Sequence, residues 1–337
     1  MKLIIIIIVS VDLLHNYLQT ALWSTDRHKP VLSLLSYERL SKKPLLFKSF
    51  AGLTVQEFDD IYKKEITKRY CKHELKRLSK RKDRKRDLGA GRPFKLDLKN
   101  RFLMLLVYYR LYITYTLTGF LFDLDQSNVC RNIQKIENLV RLCVPIPQKI
   151  YNKTKRLKTI EEVEKYFPGF LAFIDSTEQP IPRPADKNKR KIFYSGKKKR
   201  HTVKNQLTVN KDGYILHKAT HKEGRRHDYD VYKNNHPVTP KQVVNVIDLG
   251  YLGVETDFPE QLSALPYKKK RNQCLSQEEK EYNIIHSKKR IVVEHTICRL
   301  KKYKIMSDIF RNKLRKYGKV SDIVAGLTNF RIMNQGR

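Results

Sequence analysis

The sequence predicts an α/β protein in which an all-helical region precedes a mixed-sheet core with flanking helices. Apolar residues recur at helical spacing through the first half of the 337-residue chain. From about residue 169 the pattern changes to short runs rich in β-branched residues, bounded by turn residues. A long helical stretch that carries an acid then runs from about Gln277 to Met306. Strands followed by such a helix are typical of an α/β or α+β core.

The net charge of the chain indicates which classes of partner it binds. The sequence has 70 Lys and Arg against 34 Asp and Glu, a formal net charge of +36. With 40% hydrophobic and 10% aromatic residues, the composition excludes a wholly disordered chain. Such an excess of positive charge indicates a polyanionic partner, and nucleic acid is the commonest one. An anionic membrane would favour one basic amphipathic helix, whereas the bases here recur from residue 63 to the C-terminus.

The cysteines and the apolar runs argue against disulfide-linked, zinc-finger, exported and membrane-spanning proteins. The five cysteines contain no CxxC pair, which argues for reduced thiols inside a cell and against a disulfide framework or zinc finger. The N-terminal run LIIIIIVSV resembles part of a signal peptide, but Asp12 interrupts it and no cleavage site follows. A buried strand or an upstream extension of the reading frame is preferred. The apolar run 102–122 contains Arg110, so we expect a buried helix and a turn there.

We predict a division of the chain into five parts. A basic block from residue 63 ends at a flexible joint, Gly89–Pro93. A charge run of this kind is either a solvated helix face or a phosphate-binding surface, and its shortage of acids favours phosphate. The predicted parts are an unassigned extension (1–33), small helices with the basic segment (34–92), a helix-turn-helix (93–147), a linker with a helix around 159–166 (148–168) and the core (169–335).

The helix-turn-helix prediction rests on two faces of one helix. A turn around Asp123–Gln126 is followed by a helix that opens at Ser127. Its apolar face carries Val129, Ile133, Ile136, Leu139 and Val140, and its polar face carries Ser127, Asn128, Arg131, Asn132 and Lys135. Any helical hairpin shows this pattern, but the basic context favours insertion into a DNA major groove. We therefore expect DNA contacts from Ser127, Asn128, Arg131 and Lys135.

Three acids in the second half share a setting that suits metal-dependent chemistry. Asp175 ends the predicted strand LAFID, Asp248 ends the predicted strand QVVNVID, and Glu294 lies on the long helix. Carboxylates so placed can converge on Mg²⁺ or Mn²⁺, which prefer oxygen ligands. Two such ions about 4 Å apart can activate a water or a 3′-hydroxyl and stabilise the leaving oxygen of a phosphodiester.

Each of these assignments has a rival. A strand-terminal Asp is often only a turn or cap residue, and Glu294 could simply pair with a neighbouring base on its helix. Glu178 is a rival carboxylate, although side-chain alternation and an expected turn aim it away from Asp175. Asp228 competes with Asp248 for the second position, but its context favours an N-cap.

The motifs in order resemble those of DDE transposases. They are Asp175-Ser-Thr, the run 194–206 (YSGKKKRHTVKNQ), Asp248-Leu-Gly-Tyr and Arg290-Ile-Val-Val-Glu. The chain is similar to the insertion-sequence transposases of bacteria and to Harbinger-type DDE endonucleases over residues 34 to 335. The resemblance implies an RNase H-like core whose catalytic and metal-binding acids are Asp175, Asp248 and Glu294. In the family's helix motif, Arg290, Glu294 and Lys301 fit, while Ser287 stands where the family has a tyrosine.

The resemblance implies a metal-dependent nuclease that cleaves and joins DNA at the terminal inverted repeats of a mobile element. A non-catalytic basic helix-turn-helix protein and a domesticated nuclease remain alternatives. The expected partners are terminal-repeat and target DNA and further copies of the chain, with no membrane. The expected location is the bacterial cytoplasm at the nucleoid, or the nucleus if the chain is eukaryotic. Further DNA contacts are expected from Lys198, Lys199, Arg200, Arg290 and Lys301, although the bases at 197–200 could instead form a solvated hairpin tip.

Overall fold

The computed structural model describes residues 33–79, 94–271 and 273–334. The predicted N-terminal strand and the joint Gly89–Pro93 lie outside the described residues. Contacts divide the chain into two compact units. The first holds the residues up to Tyr108 together with Ile113–Cys143, and the second holds Tyr109–Tyr112 together with the chain from Val144 onward.

The first unit is built from helices that pack around aromatic side chains. The ring of Phe58 stacks on Phe102, with centroids 4.7 Å apart, and on Tyr37 at 5.2 Å. Thr54 and Glu57 form a capping box that fixes the start of one helix. The small helices predicted from residue 34 are confirmed. The helices are α1 (Tyr37–Leu40), α2 (Pro44–Ala51), α3 (Val55–Ile61), a π-helical turn (Tyr62–Ile66), α4 (Thr67–Ser79) and α5 (Leu98–Leu111), whose last residues belong to the second unit.

Two further helices of this unit, α6 (Tyr115–Phe122) and α7 (Gln126–Cys143), form the predicted helical hairpin. A Cβ at Gly119 would collide with the carbonyl oxygen of Leu124, so the tight turn needs glycine there. The predicted apolar face of α7 is confirmed, because Val129, Ile133, Ile136 and Val140 are buried and Leu139 is partly buried. The apolar run 102–122 is split between α5 and α6. Among the described helices, none has the length and apolar character that crossing a membrane requires.

The second unit contains a mixed sheet with helices packed on it. Its strands are β1 (Leu171–Pro180), β2 (Tyr194–Ser195), β3 (Arg200–Asn210), β4 (Ile215–Lys218), β5 (Lys222–Glu223), β6 (Val244–Val246) and β7 (Ser263–Ala264). Its helices are α8 (Pro147–Thr154), α9 (Ile160–Tyr166), α10 (Lys187–Phe193), α11 (Asp228–Asn235), α12 (Val254–Asp257), α13 (Gln277–Lys301) and α14 (Tyr317–Asn334), with 3₁₀ turns at Pro168–Phe170, Leu249–Tyr251, Lys304–Met306 and Leu314–Lys316.

The order β2-β3-β1-β6-β7, with β4 and β5 also paired to β3, puts β1 at the centre of this sheet. Strand β1 is antiparallel to β3 over nine residue pairs and parallel to β6. Strand β6 is in turn parallel to β7. This arrangement of a mixed sheet after a helical region fits the predicted fold class.

The segment predicted as a linker, 148–168, packs against the sheet. The helix predicted around 159–166 is confirmed as α9, and α8 precedes it. Ile150 of α8, Val163 of α9 and the following Phe167 are buried in one cluster with residues of the sheet. Burial of these side chains joins both helices to the core of the second unit.

Candidate active site

Asp175 lies inside the central strand. The prediction that the strand ends at Asp175 is wrong, because β1 continues to Pro180 and Asp175 pairs with Leu207 of β3. Side chains alternate along a strand, so Asp175 and Glu178, three residues apart, point to opposite faces. The contacts agree: Asp175 meets Arg290 of α13, whereas Glu178 accepts a hydrogen bond from Thr202.

Asp248 reaches the same level of the sheet from the neighbouring strand. Strand β6 ends at Val246, two residues before Asp248, and not at Asp248 as predicted. Val246 of β6 pairs with Phe173 of β1. Asp175 lies two residues after Phe173 and Asp248 two residues after Val246, so the two aspartates lie side by side on the same face of the sheet. Asp248 caps the 3₁₀ turn that follows it by accepting a hydrogen bond from the Leu249 N–H at 2.7 Å. This cap fixes the carboxylate at the start of the turn.

Arg290 lies between these two carboxylates. Its Nη2 is 3.5 Å from Asp175 Oδ2 and its Nη1 is 3.5 Å from Asp248 Oδ2. The residue is 9% exposed, so its charge faces the acids. Burial raises the pKa of the Asp175 carboxyl above its usual value; Arg290 opposes this shift, and Asp248 and Asp228 reinforce it. The two predicted acids therefore form one electrostatic cluster around a guanidinium.

Glu294 stands apart from that cluster. It lies one helical turn after Arg290 on α13, and its side chain is exposed. Across residues 33–79, 94–271 and 273–334, no three His, Cys, Asp or Glu side chains form a group that could hold a metal ion. The structure thus brings Asp175 and Asp248 together, and it leaves Glu294 on the helix that supplies Arg290.

A buried tyrosine connects the segments that carry the two acids. The hydroxyls of Tyr251 and Ser176 are 3.0 Å apart, and Gln206 Nε2 donates to the Tyr251 hydroxyl at 2.8 Å. Tyr251 is 1% exposed, and burial raises its pKa, so the phenol stays protonated. Ser176 adjoins Asp175, and Tyr251 follows Asp248 by three residues. Sequence reasoning missed this hydrogen-bond clasp, defined by Ser176, Gln206 and Tyr251, although Tyr251 was visible in the Asp-Leu-Gly-Tyr motif.

The rival acids Glu178 and Asp228 contact a lysine instead of Arg290. Lys204, with its side chain 8% exposed, has its Nζ 3.8 Å from Glu178 Oε1 and 3.0 Å from Asp228 Oδ1. The same Nζ donates to the Arg226 carbonyl at 2.6 Å. Asp228 is the first residue of α11, and His227 occupies the N-cap position, which corrects the predicted cap. Glu178 and Asp228 are therefore tied to a buried lysine.

The predicted DNA-contacting bases of the second unit occupy different environments. Lys198, Lys199 and Arg200 are exposed at the turn between β2 and β3, so the segment is a hairpin tip. Burial lowers the pKa of Lys301, and Lys198 adds to this effect. Arg290 faces carboxylates instead of solvent. The hairpin tip is thus the part of this set with free access to a phosphate.

On α7, three of the four predicted contact residues face outward. Ser127, Arg131 and Lys135 are exposed, and Asn128 is half-buried with its Oδ1 3.4 Å from Arg131 Nη1. The placement of Asn132 on the polar face is wrong, because it is 9% exposed and donates to the Asn128 carbonyl at 2.8 Å. The outward face is polar and basic at the N-terminal half of the helix.

Comparison with known proteins adds an independent line of evidence. Residues 174–329 match the family model of the DDE superfamily endonuclease, and residues 94–146 match the helix-turn-helix of DDE superfamily endonuclease. A probable transposase for insertion sequence element IS702, from Microchaete diplosiphon, is 34% identical to the chain over 254 residues. That alignment covers 74% of this chain and 86% of the relative. No solved structure matches the chain.

Proposed function

The chain belongs to the DDE superfamily of transposase endonucleases, and from this premise we propose that it cleaves and joins DNA at the terminal inverted repeats of a mobile element. The observation that carries the proposal is the convergence of Asp175 and Asp248 on one cationic group, at one level of the sheet. A helix-turn-helix on the same chain supplies a means of binding the repeats.

The acid pair fits a divalent cation. Both residues offer carboxylate oxygens, the donors that Mg²⁺ and Mn²⁺ prefer. The position between them already accommodates the positive charge of Arg290. Asp175, Asp248 and Glu294, which lies one helical turn after Arg290 on α13, are the residues proposed to hold one or two such ions. Bound ions would activate the attacking water or 3′-hydroxyl and stabilise the leaving oxygen.

The protein's own side chains would contribute to the reaction by holding the carboxylates and the DNA phosphates in position. Phosphoryl transfer of this kind proceeds in line and needs no covalent enzyme intermediate, so catalysis depends on positioning and on electrostatic stabilisation. The cap at Leu249 and the clasp at Tyr251 hold the Asp248 turn against β1. The exposed bases of the hairpin tip would bind phosphates on either side of the reacting bond. A homodimer or larger oligomer on the DNA remains part of the proposal.

The test compares cleavage with binding. Purified protein is incubated with labelled terminal-repeat DNA and Mg²⁺ or Mn²⁺, alongside Asp175→Asn, Asp248→Asn and Glu294→Gln. We expect each variant to bind the repeat with unchanged affinity and to cut it at least about a hundredfold more slowly. Asp212→Asn, which changes an exposed acid in the turn after β3, serves as the matched control and should cut like wild type.

Equal cutting by wild type and Asp248→Asn would refute the catalytic assignment. Tight binding with no cutting by wild type would instead favour the non-catalytic DNA-binding alternative. Omission of the divalent cation should abolish cutting while leaving binding intact. The affinity should fall with salt, because phosphate contacts release counterions.

A further inference from the structure

A basic cavity in the second unit lies away from the acid pair. It has a volume of about 720 Å³, and its cations come from separate segments of the chain. Arg183 follows β1, Arg190 and Lys191 lie on α10, and Arg225 precedes α11. None of the described residues that line it is acidic. Within the described residues, neither Arg183, Lys191 nor Arg225 pairs with a carboxylate, so their charges are available to a ligand.

The cavity also has an aromatic wall. Tyr194 is 43% exposed, and its ring meets that of His201 edge to face, with centroids 5.6 Å apart at 73°. Pairing of the two residues across β2 and β3 fixes this geometry. Arg190 is held as well, because its guanidinium donates to the carbonyls of Pro184 and Ala185. The wall and one cation are therefore set in place before any ligand arrives.

Cations beside a fixed, exposed aromatic ring suit a ligand that has phosphates and a flat base. Any exposed Lys or Arg side chain can contact the phosphates of duplex DNA. Stacking of a nucleobase on an aromatic ring, in contrast, requires a nucleotide that lies outside the double helix. A cavity of this volume has room for one nucleotide and part of its neighbours. The combination favours single-stranded DNA over a duplex.

The cavity lies at a defined distance from the acids. His201 is six residues along β3 from Leu207, the partner of Asp175, which is about 20 Å at roughly 3.3 Å per residue. That separation corresponds to about six base pairs of duplex. One DNA strand could therefore reach both places.

We propose that this cavity, lined by Arg183, Arg190, Lys191, Tyr194, His201 and Arg225, binds unpaired nucleotides of the DNA substrate. The assignment rests on the proposed function, because it takes the same DNA as the acid pair and adds a single-stranded segment to what the enzyme recognises. Tyr194 supplies the stacking surface, and the cations hold the flanking phosphates.

The experiment measures binding in EDTA by fluorescence anisotropy, with a labelled oligothymidylate of roughly ten nucleotides as probe. Tyr194→Leu should weaken its binding at least about tenfold, and Tyr194→Phe, which keeps the ring, should change it less than about threefold. Gly196→Leu tests the cavity without removing a charge. Gly196 lines the cavity, and a Cβ there would meet no atom within 4 Å, so a leucine side chain can be added at the cavity without displacing protein. This variant should also lose about tenfold.

Tyr267→Leu is the matched control, because Tyr267 is 49% exposed and its ring also meets a second ring, that of Tyr282, edge to face. It should bind the oligothymidylate like wild type, and all four variants should bind a duplex of equal length within about twofold of wild type. Wild-type affinity of both Tyr194→Leu and Gly196→Leu for the oligothymidylate would overturn the proposal. Equal loss of duplex and single-strand binding would also overturn it.

The absence of divalent cation separates this test from that of catalysis. If single-strand binding responds as expected while wild type fails to cut the repeat, the proposed cleavage fails and the nucleotide site stands. If wild type cuts the repeat but the Tyr194→Leu and Gly196→Leu variants bind the oligothymidylate with wild-type affinity, the nucleotide site fails and the proposed cleavage stands.

Discussion

Tyr251→Phe is the perturbation that tests how the acid pair is positioned. The substitution keeps the ring and removes only the hydroxyl, which contacts Ser176 at 3.0 Å and Gln206 at 2.8 Å. Ser176 adjoins Asp175, and Tyr251 ends the turn that Asp248 begins. Loss of the hydroxyl therefore releases the Asp248 turn from the central strand without touching either carboxylate.

The size of the effect follows from these two bonds. Each buried hydrogen bond contributes about 1 kcal/mol to stability, and a buried group left without its partner costs about 1 kcal/mol more. Gln206 is 1% exposed, so its amide would have no water to replace the phenol. We expect the free energy of unfolding to fall by about 3 kcal/mol. Tyr232→Phe, in the same apolar cluster, loses a single bond to Gln261 at 3.1 Å and leaves that buried amide oxygen without its partner, so it should lose about 2 kcal/mol.

The assay is single-turnover cleavage of terminal-repeat DNA, at a temperature where wild type and both variants are folded. A displacement of about 1 Å can slow an enzyme about a hundredfold, so Tyr251→Phe should cut between about tenfold and a hundredfold more slowly with unchanged DNA affinity. Tyr232→Phe should cut within about twofold of wild type. If Tyr251→Phe cuts at the wild-type rate, or if both variants slow in proportion to their lost stability, the clasp does not position Asp248.

Three further predictions concern stability. Arg290→Met should lower the free energy of unfolding in EDTA by about 2 kcal/mol, since two nearby carboxylates lose their counter-charge. Asp175→Asn added to Arg290→Met should restore part of this loss. An Arg290→Met variant as stable as wild type would contradict the prediction. Burial lowers the pKa of His217 to about 4. The unfolded chain therefore takes up the proton first, and stability should fall by about 3 kcal/mol as pH drops from 6.5 to 4 in urea titrations; His217→Gln should remove that component. Gly326→Ala would put a Cβ 2.5 Å from Val144 Cγ2 and should cost about 2 kcal/mol by thermal melting, with Val144→Ala as the relieving second change.

Local patterns in the sequence were sufficient for the helical part of the molecule. The spacing of Val129, Ile133, Ile136 and Val140 predicted the buried face of α7, because a helix repeats its environment every 3.6 residues whatever lies elsewhere in the chain. The same spacing placed Asn132 on the outward face, although Asn132 is buried. Its amide bonds to a carbonyl of its own helix, so a polar residue is buried with one hydrogen bond made internally.

Long-range pairing limited the predictions for the sheet. The stretch Ser176–Pro180 has polar residues that indicate a turn, yet it continues β1 because β3 pairs with it as far as Thr202. The partner lies more than twenty residues away, and no local signal gives its register. Because β1 continues past Asp175, the alternation of side chains along it places Glu178 on the face opposite to Asp175. The motif resemblance singled out Asp175 and Asp248 as candidates, and the parallel pairing of β1 with β6 explains why these two residues meet.

The distribution of partners among the positive charges separates two uses of basic residues in this chain. Arg290 and Lys204 are buried and face acids, Arg290 between Asp175 and Asp248 and Lys204 between Glu178 and Asp228. Because burial without a counter-charge is costly, these cations hold the carboxylates in position and are themselves held. The bases of the hairpin tip and of the cavity beside Tyr194 are, with the exception of Arg190, exposed, and within the described residues they have no carboxylate partner. Charge that is not neutralised internally is available to phosphate, so these exposed cations suit contact with DNA, whereas the single charge of Arg290 offsets only one of the two carboxylates of the acid pair.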